Sequence, residues 1–404
     1  MKIYCFGKRR ELIYRCRFAG VKIRDRGLCF MLSDCRWGIL GTSQIAHKNW
    51  RAIHEAGNAR LVAVASRDAH RARVFIDSCQ TQVPFLESPA AVSGYDALLA
   101  RDDVDAVYLP LPTGTRSQWA IRAAEFGKHV LVEKPCAASV AELEAVIAAC
   151  DAAGVQFMDG VMFLHSRRLD AVRGLLVDAP GGIGRPRRIA AQFSFLGGEG
   201  FLADNIRMRS DLEPLGCLGD LGWYTIAFPL WLLAPRLPRC VTGRIIAAGG
   251  AAAGSPAVPT EFAGELVFPG VDGEPEVTAS FFCSFLSGHQ QWVHISGTRG
   301  SMRIDDFVIP YCGPEVSLSV AEPHYLIEGC DFRMEPRDRA VSVREHSHGH
   351  PTSQEATMFR AFSRLVLDRR TDRSWPNRSL AVQRVLMACL ASAHDGGHEV
   401  ELNG

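Results

Sequence analysis

Long apolar runs are missing from this sequence: none approaches the ~20 residues that a helix needs to cross a bilayer, so no membrane span is expected. Paired cysteines are missing too. The thirteen cysteines are scattered, odd in number and never spaced C-x-x-C, which argues against a disulfide framework or a cysteine-type zinc site. Free thiols suit a reducing compartment, and a cytoplasmic location is expected. His346, His348 and His350 lie in a Gly/Ser loop with no acid or cysteine at ligand spacing, so no metal is expected there. Nor is there a strong excess of one charge, since the formal net charge is +1. The first 30 residues hold nine Lys/Arg against Glu11 and Asp25, which leaves the remainder mildly acidic and speaks against a nucleic-acid partner. That basic leader lacks the apolar core and small-residue cleavage site of a secretory signal, and it is poor in serine for a transit peptide. Residues 1–35 form the basic leader, with the functional chain expected to start at Met31 and residues 1–30 to be either a mis-assigned extension or a disordered arm.

What is present is an ordinary globular composition, 47% hydrophobic and 22% charged, with length for about two domains. After Arg36, the run Trp37-Gly38-Ile39-Leu40 reads as a strand, and a helical pattern continues through Trp50, Ile53 and Ala56. Between them stands Gly41-Thr42-Ser43-Gln44-Ile45-Ala46, a G-x-G-x-x-G/A turn with Ser43 in the second glycine place and Ala46 in the third. Small residues let the backbone approach a pyrophosphate at the helix N-terminus, so Gly41, Thr42, Ser43, Gln44 and Ile45 are the expected phosphate contacts. A second strand over 61–65 ends in Ser66-Arg67-Asp68. Arginine there suits the 2′-phosphate of NADP, whereas an acid suits the ribose hydroxyls of NAD. Ser66 and Arg67 therefore favour NADP(H). Asp68 leaves NAD open, and a solvated arginine opening a surface helix is the alternative for Arg67. Strands at 106–109, 130–133 and 155–158 alternate with helices at 69–79, 95–99, 117–126 and 140–153, the order of an α/β parallel sheet. This dinucleotide-binding Rossmann domain is expected over 36–156, with Leu109, Pro110 and Pro112 closing the fourth strand beside the cofactor.

Val130-Leu131-Val132-Glu133-Lys134-Pro135 delivers a lysine to the sheet edge where parallel sheets keep their ligand crevice. Alone, Lys134 is either a salt-bridged surface residue or an acid/base group. A lysine with its ordinary value near ~10.4 suits proton donation to a carbonyl better than proton removal from an alcohol. Glu133 is expected to turn toward the cofactor or the second domain. Asp220 and Tyr224 are four apart, on one face of a helix expected over 218–228, with Gly219 and Gly222 keeping the approach narrow and Pro229 kinking or ending it. The plainer alternative makes Asp220 a helix cap and Trp223 and Tyr224 core.

Taken in order, Gly38 to Ala46, Glu133-Lys134-Pro135, Asp159-Gly160-Val161-Met162-Phe163-Leu164-His165, Gly216-Cys217-Leu218-Gly219-Asp220-Leu221-Gly222-Trp223-Tyr224 and the hairpin from His294 to Ile304 resemble one family. It is the glucose-fructose oxidoreductase/inositol dehydrogenase/rhizopine-catabolism (Gfo/Idh/MocA) group, and the resemblance runs from about Arg36 to the C-terminus. It implies a Rossmann domain followed by an α+β domain whose open-faced, mostly antiparallel sheet often mediates dimers or tetramers. It also implies that Lys134, flanked by Glu133 and Pro135, lies beside the nicotinamide, and that Lys134, Asp220 and Tyr224 handle the reacting oxygen and its proton. Met162, His165 and Trp223 would then face the substrate, although a buried histidine is the other reading of His165. Tyrosine at 224 is similar to the branch holding glucose-fructose oxidoreductase and dihydrodiol or xylose dehydrogenases. One departure stands out: Thr113-Gly114-Thr115-Arg116 replaces the family's Asn-x-x-His, and Arg116 either reaches a phosphate or lies on a helix surface.

Residues 157–404 show alternating strands near 189–195, 261–268, 277–282 and 292–295, a pattern for an antiparallel sheet with one covered face. Thr352-x-x-Glu355 reads as a capping box for a helix to 367, and the last helix is expected over 380–393. A broad aromatic and aliphatic sheet face is expected either to form a homo-oligomer interface or to lie under a helix. Arg207 and Arg209 either bind sugar hydroxyls or a carboxylate, or are solvated loop arginines. The expected activity is hydride transfer between NADP(H) and a secondary alcohol or carbonyl of a sugar, polyol or diol. Two alternatives stay open: a nucleotide-binding sensor of the same fold, and a sugar oxidoreductase that holds NADP throughout.

Overall fold

The computed structural model describes residues 34–176, 181–250, 256–271 and 273–402, so the basic leader with Met31 lies outside the described residues. Trp37, Ile39 and Leu40 are fully buried because β1 (Cys35–Leu40) runs through the middle of a six-stranded sheet. β2 (Ala59–Ser66), β3 (Ala90–Ser93), β4 (Ala106–Leu109), β5 (His129–Val132) and β6 (Phe157–Asp159) complete it in the order β3-β2-β1-β4-β5-β6, every pair parallel. Parallel neighbours need crossovers, and α1 (Gln44–Glu55), α2 (Ala69–Gln82), α3 (Tyr95–Leu99), α4 (Thr113–Glu125) and α5 (Val140–Ala153) supply them. The order reverses between β1 and β4, which opens a crevice at their C-terminal ends. Two helices, α3 and α5, have the expected bounds. α4 begins four residues earlier than expected, at Thr113, and this puts Arg116 in its first turn.

After β6 come a 3-10 turn at Met162–His165, α6 (Arg168–Gly174), β7 (Pro186–Leu196), α7 (Glu199–Asp204), a 3-10 turn at Ile206–Met208, a π-turn at Leu218–Gly222 and α8 (Trp223–Leu232). Strands β8 (Cys240–Gly249), β9 (Val258–Phe268), β10 (Val277–Ser284), β11 (Leu286–Gly297), β12 (Ser301–Ile304), β13 (Glu315–Ala321), β14 (His324–Glu328), β15 (Asp331–Glu335) and β16 (Asp338–Arg344) follow. The chain closes with α9 (Gln354–Leu367), α10 (Ser374–His394) and β17 (Val400–Glu401). Nine of these strands form a second sheet in the order β16-β13-β12-β11-β7-β10-β9-β8-β17, antiparallel except for the β7–β10 pair. Ile189, Ala191, Phe193, Val293 and Ile295 bury one face of it. That aromatic and aliphatic face lies under a helix, α8, the second of its two expected readings, while the other face carries Gln192, Ser280, Gln290 and His294 around Phe282 and Trp292.

The two C-terminal helices return to the cofactor half. α9 lies on α1 and β1, where the Trp37 indole donates to Ser363 Oγ at 2.9 Å and stacks edge-on to Phe359. Arg360 donates to the carbonyls of Ala56 at 2.7 Å and Glu55 at 3.1 Å, which satisfies orphan acceptors at the end of α1. The cap of α9 is Ser353 rather than Thr352, with Ser353 Oγ accepting from Ala356 N. Thr352 Oγ1 is instead taken by the His346 N–H, and Glu355 pairs with Lys48 at 2.5 Å. α10 starts six residues before the expected 380 and crosses β6, α5 and α8.

Asp159 ends β6 where α10 crosses the sheet edge, and it is 2% exposed. Burial pushes its carboxyl up to about 6 against the opposing pull of Ser379, Arg378 and Trp223. A carboxyl raised on folding opposes stability once ionised: the loss is absent near the unfolded value of ~3.9, grows toward pH 6 and is complete above it. Asp159→Asn is therefore expected to raise the urea midpoint at pH 8, with the gain fading to nothing by about pH 4. Equal midpoints of wild type and variant at pH 8 would contradict this.

Candidate active site at the domain seam

The Glu133 N–H donates to the Leu109 carbonyl at 3.2 Å, so the β4–β5 ladder continues to the residue before Lys134. The two side chains then part. Glu133 Oε1 accepts from the Tyr108 hydroxyl at 2.6 Å and from Asn49 Nδ2 at 3.5 Å. The buried Tyr108 phenol and Asn49 amide hold it inside the parallel-sheet half, while its charge still acts on Tyr224 across the seam. Burial, then the Glu133 charge, pushes the Tyr108 phenol well up, so it remains a donor.

Lys134 Nζ donates to Asp220 Oδ1 at 2.6 Å and to the Asp220 carbonyl at 2.7 Å. Asp220 Oδ2 accepts from Arg207 Nε at 2.6 Å. Burial alone would raise the Asp220 carboxyl, but the charges of Arg207 and Lys134 outweigh it and hold the group well below the usual carboxylate range. Asp220 thus belongs to an ion trio rather than to a helix cap. The helix expected over 218–228 opens as the π-turn and continues in α8 through Pro229, which does not end it: Leu233 N still donates to the Pro229 carbonyl at 3.0 Å. A β-carbon on Gly219 would stand 2.7 Å from Leu215 Cβ and 3.1 Å from Pro135 Cγ, so glycine lets this turn lie against the residue after Lys134.

Lys134 Nζ lies 5.0 Å from the centre of the Tyr224 ring, which also meets Phe163 and Phe193. Burial, reinforced by the charges of Glu133, Asp220 and Asp159, pushes the Tyr224 phenol well above its ordinary value. It keeps its proton at neutral pH.

Other expected substrate contacts take different partners. His165 stacks on Trp375 at 4.7 Å with planes 7° apart, and burial followed by the Arg378 charge lowers it to about 3, so it is neutral. Met162 Sδ accepts from Lys48 Nζ at 3.2 Å. Trp223 is fully buried, which removes it from any substrate-facing surface. Arg209 is exposed and pairs with Asp211. Arg116 fits neither of its two expected readings: it is 3% exposed, and its Nη atoms donate to the carbonyls of Pro135 and Leu111 and to Thr113 Oγ1.

The glycine turn fits a dinucleotide. Gly41 has φ 111°, and its N–H donates to the Ala65 carbonyl at 2.8 Å. Ser43 stands at the N-cap of α1 without a capping bond, its hydroxyl is buried and unpartnered, and the first turn holds no acid. Unopposed N–H groups and an orphan hydroxyl suit a pyrophosphate. At the end of β2, Asp68 Oδ1 accepts from His70 N at 2.7 Å and Arg71 N at 3.3 Å, so this acid is engaged in capping α2. Burial raises the Tyr95 phenol, and the charges of Arg67 and Arg71 oppose it. Arg71 was not marked by any motif; its four-residue spacing from Arg67 is the only signal. Removing the shared carboxylate should matter for folding. Asp220→Ala is expected to lose about 2–3 kcal/mol in urea unfolding, discounted for the partial exposure of Arg207. A loss below about 0.5 kcal/mol would contradict the trio.

Residues 35–161 match the GFO/IDH/MocA oxidoreductase family, NAD-binding Rossmann fold, and residues 176–303 match its C-terminal domain. The chain is 33% identical over 316 residues to dTDP-3,4-didehydro-2,6-dideoxy-α-D-glucose 3-reductase of Streptomyces violaceoruber, covering 76% of this chain and 82% of that protein. It is 30% identical over 368 residues to D-xylose 1-dehydrogenase (NADP(+)) 2 of Haloferax volcanii, covering 91% and 99%. A 3-ketoreductase from Actinomadura kijaniata, solved in complex with NADP and TDP-benzene, superposes with TM-score 0.69 at 26% identity over 89% of this chain and 98% of that one. With both domain matches in chain order and a relative aligned over almost its whole length, the chain belongs to the GFO/IDH/MocA family of oxidoreductases.

Proposed function

We propose that this chain is an NADP(H)-dependent oxidoreductase that interconverts a carbonyl and a secondary alcohol on a sugar or polyol, with Lys134 as the proton-transferring residue. The observation that carries the proposal is the meeting of Lys134 Nζ, the ionised Asp220 and the protonated Tyr224 at the C-terminal edge of the parallel sheet. The relatives' names agree in class, since one is a sugar reductase and the other a sugar dehydrogenase named for NADP(+).

A lysine ammonium has three N–H donors. Two of them are used on the Asp220 carbonyl and Oδ1, which leaves the third for a substrate oxygen. Asp220 orients Lys134 and, held far below the usual carboxylate range, is a poor base. Tyr224 offers a second O–H donor. These states favour reduction, in which Lys134 hydrogen-bonds the carbonyl oxygen and passes it a proton as the alcohol forms. NADPH, when bound, supplies the hydride. Arg67 and Arg71 would receive the 2′-phosphate, and the engagement of Asp68 as a helix cap weakens the case for NAD.

A panel pairing NADP(+) with D-xylose and dihydrodiols, and NADPH with dTDP-linked 3-keto sugars, tests the proposal. Lys134→Ala is expected to lower turnover by about 10²–10⁴-fold while NADPH binding, read by its fluorescence, survives. Wild-type turnover in that variant refutes the assignment. Tight NADPH binding with no turnover across the panel would favour a sensor of the same fold. Arg67→Ala should weaken NADPH by about tenfold or more and leave NADH nearly unchanged; equal loss for both cofactors would remove Arg67 from phosphate recognition.

A further inference from the structure

The N-terminus of α4 is met by chain from the other half of the molecule. Glu213 Oε1 accepts from the Thr113 N–H at 3.1 Å, and Glu213 Oε2 accepts from the Thr113 hydroxyl at 2.5 Å. The next N–H, that of Gly114, donates to the Leu212 carbonyl at 2.9 Å. Backbone meets backbone closely here: a β-carbon on Gly114 would stand 2.3 Å from the Asp211 carbonyl oxygen. Residues 211–213 therefore lie against the first turn of α4, and a carboxylate faces the helix's positive end and its orphan donors.

The same buried Thr113 hydroxyl accepts from Arg116 Nη1 at 3.1 Å. Arg116 in turn donates to the Pro135 and Leu111 carbonyls. A hydrogen-bonded chain thus runs from Glu213 through Thr113 and Arg116 to Pro135, one residue from Lys134. At its other end, Glu213 N donates to the Arg209 carbonyl at 2.7 Å, two residues from Arg207, which holds Asp220. The two ends of the chain therefore fix main chain next to Lys134 and two residues from Arg207.

We propose that Thr113, Arg116 and Glu213 form a positioning clasp, which holds the loop at 205–216 with its Arg207 at a set distance from Lys134 and so governs substrate affinity. The inference rests on the oxidoreductase reading above. None of the three is a catalytic residue; each acts through Arg207 or the main chain beside Lys134. Glu213→Gln removes the charge with little change of shape, while Gly114→Ala pushes 211–213 away without touching any charge.

With D-xylose and NADP(+) as the probe pair, both variants are expected to raise KM for the sugar by about tenfold, the scale of one charge-assisted hydrogen bond, with kcat within about twofold. NADPH affinity should be unchanged, and the double variant should be no worse than either single one, because both open the same contact. Arg116→Lys, which keeps a donor, should hold KM nearer the wild-type value than Arg116→Met. Amide hydrogen exchange gives a second readout, with faster exchange over 205–216 in Glu213→Gln. Wild-type KM and exchange in both variants would overturn the clasp, as would equal losses in kcat and NADPH affinity. A wild-type protein that binds NADPH and turns over nothing fails the proposed function alone. The exchange of 205–216 then decides the clasp, faster in Glu213→Gln if it exists and unchanged if it does not.

Discussion

One carboxylate neutralising two cations is the constraint around which the seam between the halves is built. Lys134 comes from the parallel sheet, and Asp220 and Arg207 come from the segment that precedes α8. An ionised aspartate at such a buried place is favourable only because both cations approach to 2.6 Å, and burial by itself would act against it. That requirement shapes the local backbone. The π-turn swings Asp220 toward Lys134, Gly219 lets the turn touch Pro135, and a short 3-10 turn presents Arg207. On the other side of the cofactor half, Lys48–Glu355, Arg360 and the Trp37–Ser363 bond tie α9 to α1 and β1. The seam is therefore closed by polar contacts with defined directions, which specify geometry more sharply than apolar packing alone.

Much of the cofactor half was legible in the sequence because its signals are local. The period of α3 and α5, the buried run at 106–109 and the glycine turn before α1 each follow from residues within one element. Lys134, Asp220 and Tyr224 were legible through motif order, and the structure joins to them Arg207, for which the sequence left open a sugar or carboxylate ligand or a solvated loop. Neighbours inside a motif fared differently. Trp223 adjoins Tyr224 in the chain, yet about 100° of helical rotation separates consecutive residues, and Trp223 goes into the core. Glu133 adjoins Lys134, but successive residues at a strand end point to opposite sides, which gives it to Tyr108. Arg116 stood out in the sequence but its role did not, and Glu213 carried no signal, because their partners are carbonyls and a threonine brought near by tertiary crossing. In the second sheet, β13 alternates Val316, Leu318 and Val320 with serines, whereas β14 and β15 pair only with each other, are exposed along most of their length and offer no buried period to read.

Burial also assigns protonation states across a narrow region. Tyr108 and Tyr224 keep their phenolic protons, His165 stays neutral, and Asp220 stays ionised. The differences follow from which groups gain a countercharge when they leave water. Asp220 has two, whereas His165 faces another cation and an aromatic plane. These states are set by the protein's own charges and burial.

The return of α9 onto α1 and β1 bears on how such a chain is inherited. Trp37 sits in the first strand of the nucleotide half, yet its indole and its ring contacts are completed by Ser363, Phe359 and Phe362, more than 320 residues later. A gene rearrangement that exchanged only the stretch encoding the parallel sheet would separate that tryptophan from its cover. The parallel-sheet module keeps its packing on shuffling only when the stretches encoding β1 and α9 travel together.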